Sequence, residues 1–232
     1  MFPDIEKPIR RDPPDREPAF NLAGVVVFAL ALLGAIHAAR IFLFSPQMND
    51  AVIVIFGFFP AGGMARPLDW IDLVTHSLLH ADATHLLVNA IWLAAFGSPL
   101  AARIGWPRFI AFWMATAAAG ALMYLAFNPE SGGVLVGASG AISGMTGAAA
   151  RFGFRVDRTR RPSAFSGALQ PLTYAVRSPS VLSFLAVWMA INLVAGSGVF
   201  TGGAAGPAIA WEAHLGGFLT GFLGVGLFDR KL

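Results

Sequence analysis

The chain has 232 residues, 56% of them hydrophobic and 12% charged, with a mean hydropathy of +0.65. A soluble domain carries about 25% charged residues, so the composition excludes an ordinary soluble enzyme and reads as one all-α membrane bundle. The net charge of +3 does not argue for nucleic acid, because the basic residues sit between apolar runs as topology anchors, and the absence of cysteine excludes disulfides and thiolate chemistry.

In chain order, residues 1–20 form a polar, proline-rich tail of mixed charge, unlike a cleavable signal peptide and expected to be disordered. Residues 21–232 read as a single domain. Its first apolar run, 22–44, is long enough to span a bilayer. Residues 45–82 mix apolar side chains with Pro60, Gly62, Gly63 and Pro67 and read as a long structured first loop, partly in the interface. The run 51–60 inside it is too short to cross. Five more apolar runs follow, at about 83–101, 107–127, 137–153, 179–198 and 208–228, several of them near the ~20 residues a crossing needs. The sequence thus predicts a bundle of six transmembrane helices. Lys and Arg collect at 7–16, 103–108, 151–177 and 230–231, which are alternate ends of the spans. By the positive-inside rule both termini are cytoplasmic, and the pattern points to a multi-pass protein of a bacterial inner membrane.

On this topology three segments bring polar groups to one depth near the outer face. His85 and Asn89 fall in the first turns of span two, Ser139 opens span four, and His214 lies near the start of span six. Polar groups at that depth are costly unless they have work to do. Ser139 follows Gly137 and precedes Gly140, at a helix start whose unpaired N–H groups could hold an oxyanion. His214 can act as its general base. Asp82 is a suitable N-cap for span two, and His85 and Asn89, at i and i+4, share one helix face from which both can donate hydrogen bonds. Glu212 would point away from His214, so the sequence predicts a Ser–His dyad with no third member. His76 and His80 precede the helix and are expected to form structural hydrogen bonds in the loop. Three nearby histidines could also suggest zinc, but no HExxH pattern or adjoining acidic base supports it, and no metal is expected.

Gly140 and Gly144 form a close-packing pair on span four, and Gly217 and Gly221 a second on span six. Span four is therefore expected at the centre of the bundle, with span six against it.

Taken together, the His80…His85…Asn89 pattern, the Gly137-Ala138-Ser139-Gly140 box and Ala213-His214 followed by Gly217 and Gly221 resemble the rhomboid intramembrane serine proteases. The resemblance runs from about Asp69 to Leu227. It implies that Ser139 is the nucleophile and His214 the base. It also implies an oxyanion hole of His85, Asn89 and the Ser139 N–H, with His80 near the site. The substrates it implies are single-span membrane proteins, cut near the outer face, with no cofactor and with lipid as the other partner. Many rhomboids carry a Trp-Arg pair in the first loop; here Trp70 is followed by Ile71 and Asp72, and the Arg is missing. Two other readings are weaker. A transporter would be expected to show an internal repeat, and none is visible. A non-catalytic relative would lack the serine or the histidine.

Overall fold

The computed structural model describes residues 21–229 apart from 62, 66, 68 and 198–208. The tail 1–20 and the beginning of the last apolar run lie outside the described residues, as do Gly62, Arg66, Arg230 and Lys231. Among the described residues the regular structure is helical except for one short hairpin and a single bridge between Phe58 and Leu135. Helix α1 covers Gly24–Phe42. The loop 45–82 contains α2 (Pro46–Phe56) and α3 (Asp69–Thr75), the latter running into a 3-10 turn at His76–Leu78. Helices α4 (Ala83–Trp92) and α5 (Ser98–Ile104) are joined by a π turn at Leu93–Gly97 into one 22-residue helix, Ala83–Ile104. Pro99 accounts for the wide turn, since it has no N–H to return to the carbonyl of Ala95. Then come α6 (Trp106–Phe127), α7 (Ser139–Arg151) and an antiparallel hairpin of β1 (Val156–Asp157) and β2 (Ala164–Phe165). The chain closes with α8 (Leu172–Ala175), α9 (Pro179–Gly196) and α10 (Trp211–Gly224), which ends in a 3-10 turn at Val225–Leu227.

Among the described residues four helices are long and apolar enough to cross a membrane: α1, Ala83–Ile104, α6 and α9. They carry outward rows of large apolar residues, such as Phe28, Leu87, Met114 and Val187. The chain is thus an integral multi-pass membrane protein. The runs 137–153 and 208–228 contain shorter helices than the sequence suggested: α7 has 13 residues and α10 has 14. At 1.5 Å per residue α7 is about 20 Å long, less than the ~30 Å of a hydrocarbon core. The backbone explains the difference. Gly137 at φ +124° precedes α7, and Gly153 and Phe154, at φ +61° and +54°, follow it.

Helix α7 does not have to match a bilayer, because lipid is not its neighbour: all of its residues from Gly140 to Arg151 are buried. Helix–helix contact in lipid lacks a hydrophobic driving force and depends on close backbone packing. The glycines supply that packing. A Cβ on Gly217 would fall on the Gly140 carbonyl, and one on Gly221 on the Gly144 carbonyl, so α10 lies against α7. On the α6 side, a Cβ on Gly120 would come 2.8 Å from the Ala213 carbonyl oxygen.

The first loop is held at several points. Ser45 caps α2, its hydroxyl accepting from the Met48 N–H at 3.2 Å. Phe58 and Leu135 exchange backbone hydrogen bonds of 3.1 and 2.8 Å. The Trp113 indole N–H donates to Ser77 Oγ at 3.0 Å, tying the loop to α6.

Candidate functional site

Ser139 is the first residue of α7. The first backbone bond of the helix runs from the Ile142 N–H to the Ala138 carbonyl, so the N–H groups of Ser139, Gly140 and Ala141 have no intrahelical acceptor. Gly137 sets the approach. Its positive φ is one that other L-residues rarely adopt, and a Cβ there would meet His85 Cε1 and Nε2 at 2.7 Å and stand 3.6 Å from Ser139 Oγ. The His85 ring and the Ser139 hydroxyl therefore flank one glycine.

Asp82 places His85. Its carboxylate accepts the His85 N–H at 2.8 Å and caps α4, which puts His85 in the first turn. Asn89, one turn on, is buried, and its Nδ2 donates to the His85 carbonyl at 2.9 Å. That bond uses one of two amide hydrogens and fixes the side chain against α4.

The loop histidines differ from each other. His76 Nδ1 donates to the Asp72 carbonyl at 2.8 Å, and the His76 carbonyl accepts the Gly137 N–H at 3.0 Å, linking the loop to the Ser139 turn. His80 does not form the expected side-chain hydrogen bond. Both of its ring nitrogens are buried without a partner, and its ring packs edge-on to His85 with centroids 5.1 Å apart. Its backbone carbonyl instead accepts from Arg40 Nη1 at 2.8 Å, so the backbone rather than the imidazole anchors this residue. Burial pushes His76 down to about 4 and His80 down to about 3, leaving both neutral near pH 7.

His214 lies in the first turn of α10 and faces α9, where its Nδ1 meets Asn192 Oδ1 at 2.5 Å. Ser139, His214, Asn89 and Asn192 all line one cavity of about 250 Å³, bounded by α4, α7, α9 and α10. Val88 and Trp92 of α4 and Val187 and Ile191 of α9 are among its apolar lining. Among the described residues no hydrogen bond joins Ser139 Oγ to His214; they are brought together as walls of the same cavity. His80 and His85 do not line it. Glu212 is turned elsewhere, accepting from Asn128 Nδ2 at 3.2 Å.

Asn192 is the polar partner that sequence reasoning missed. An acid is the usual third residue beside such a histidine, whereas the group beside His214 is an amide. A signal was present: Asn192 is the one strongly polar side chain between Trp188 and Gly196 in an otherwise apolar run, and a polar group at such a depth calls for a partner.

This arrangement can be compared with known proteins. A family model described as Rhomboid domain matches residues 67–230. RHOMBOID-like protein 1 of Arabidopsis thaliana is 32% identical over 152 residues, covering 65% of this chain and 32% of that protein. The chain therefore spans about a third of the length of this curated relative.

Proposed function

The chain belongs to the rhomboid family of intramembrane proteases, and from that membership we propose that it is a serine endopeptidase working through Ser139 and His214. The observation that carries this reading is the shared cavity: a serine at the open N-terminus of a buried helix and a histidine from another helix line one space inside the bundle. The substrates are single-span membrane proteins, presented sideways from lipid. The topology has six crossings, with the short α7 and α10 as the fourth and sixth and both termini on the positively charged, cytoplasmic side of a bacterial inner membrane.

In the reaction the Ser139 hydroxyl attacks the scissile carbonyl carbon and His214 takes its proton. The resulting oxyanion accepts hydrogen bonds from the Ser139 N–H, His85 and Asn89. The C–N bond then breaks, and the amine leaves with the proton held by His214. Water, deprotonated by His214, hydrolyses the acyl-serine ester and restores the hydroxyl. No cofactor takes part.

The test is to treat the protein, purified in mild detergent, with a fluorophosphonate probe beside Ser139→Ala and His214→Ala. Labelling of the parent alone is expected. Labelling of Ser139→Ala at the parent's rate, or none of a parent shown to be folded, overturns the assignment.

A further inference from the structure

Asn192 makes two contacts that together leave its amide only one orientation. Its Nδ2 donates to the Trp188 carbonyl one helical turn back, at 2.7 Å, and the residue is buried. A carbonyl can only accept, so the atom facing Trp188 must be the amide nitrogen. The atom facing His214 is then the amide oxygen, which also can only accept. His214 Nδ1, 2.5 Å away, must carry the hydrogen. A neutral imidazole has one N–H, so its Nε2 is left with a free lone pair.

We infer that Asn192 is the positioning partner of His214, holding the imidazole in the tautomer whose Nε2 can take the proton of Ser139. The inference rests on the peptidase reading above. It replaces the two-residue arrangement expected from sequence with a Ser–His–Asn set, in which the amide does without charge what a carboxylate does in the Ser–His–Asp arrangement. An uncharged partner suits the location, because a carboxylate within an apolar span would need its own compensation. The support continues behind Asn192. Trp188, which receives the amide hydrogen, packs on Phe218 of α10 with ring centroids 4.8 Å apart, so the helix bearing the amide is fixed to the helix bearing the histidine.

The test compares Asn192→Leu, similar in size but without an acceptor, with Asn192→Asp, which keeps an oxygen at the same place. A reconstituted single-span substrate gives kcat and KM, and 15N NMR of histidine-labelled protein gives the tautomer, with the His214 signals assigned by their loss in His214→Gln. The parent is expected to carry its proton on Nδ1. Asn192→Leu is expected to lose about 10- to 100-fold in kcat with KM nearly unchanged, as when the outer partner of a functional imidazole is removed. Asn192→Asp should recover only part of that loss, because its second carboxylate oxygen faces the Trp188 carbonyl, which can only accept. A folded Asn192→Leu with the parent's kcat and tautomer overturns the inference. So does a parent whose His214 is protonated on Nε2, a result that does not depend on whether Asn192→Leu folds. If the parent cleaves and Ser139→Ala does not while Asn192→Leu matches the parent, only the role of Asn192 falls. If Ser139→Ala cleaves like the parent, the peptidase reading falls and the role of Asn192 in catalysis falls with it.

Discussion

The Cα of Gly217 on α10 lies so close to the Gly140 carbonyl on α7 that no side-chain carbon fits between them. The Ser139 turn thus meets the helix that carries His214 backbone to backbone. Adding one methyl group here forces two helices apart. Gly217→Ala is expected to destabilise the protein by at least about 1–3 kcal/mol, the usual range for overpacking a tight contact, and Gly217→Val to abolish folded yield. Gly24→Ala, at a glycine with open space around it, should be neutral. Thermal unfolding of the three variants in detergent checks this, and a Gly217→Ala midpoint equal to the parent's would contradict it.

A different outcome is expected at Gly137. Its φ is +124°, and a Cβ would reach the His85 ring at 2.7 Å. Holding a non-glycine residue there costs about 1–3 kcal/mol. The displaced group is a flexible imidazole rather than a helix backbone. Gly137→Ala should therefore stay folded with a reduced melting temperature and lose at least about tenfold in cleavage rate, because His85 is pushed off the Ser139 turn. A full rate in that variant would remove His85 from the oxyanion site.

Much of this was legible in the sequence, for identifiable reasons. Long apolar runs announced α1, Ala83–Ile104, α6 and α9, and paired glycines announced which helices touch, because in lipid only small residues permit that approach. Asp82 could be read as a cap because capping is local. Helix lengths at α7 and α10 were not legible, since hydropathy does not reveal that a helix is screened from lipid by its neighbours. Nor was the pairing of His214 with Asn192, which depends on how α9 is rotated against α10, nor the bare ring of His80, which depends on how the loop closes over it.

The loop histidines predict an acid sensitivity. Burial holds His76 down to about 4 and His80 down to about 3, from an ordinary 6.5. Below pH 6.5 the unfolded chain takes up protons that the folded chain refuses, so stability rises with pH across this window and is lost on acidification. The loss reaches at most about 1.4 kcal/mol per pH unit for each group. The melting temperature should fall between about pH 7 and about pH 5, and the slope should lessen in His76→Gln. An equal slope in a folded His76→Gln, His80→Gln double variant would place the sensitivity elsewhere.

Arg103 in the last turn of α5 and Asp229 beyond α10 form a two-pronged ion pair, with Nε donating to Oδ1 at 2.9 Å and Nη2 to Oδ2 at 2.6 Å. Both side chains are nearly inaccessible, and Arg103 Nη1 also donates to the Gly167 carbonyl at 3.0 Å. The guanidinium therefore joins α5, the segment after β2 and Asp229 in the segment following α10. Removing one member leaves the other charged and buried, which commonly costs about 3–5 kcal/mol, whereas a matched apolar replacement of both can be nearly neutral. Asp229→Ala should lower the melting temperature sharply, and Arg103→Met with Asp229→Leu should recover part of that loss. The bonds from Arg103 to backbone carbonyls are absent from the double variant, so recovery stays incomplete. A double variant as unstable as the sum of the two single ones would mean that the carbonyl contacts, not the ion pair, hold these segments together.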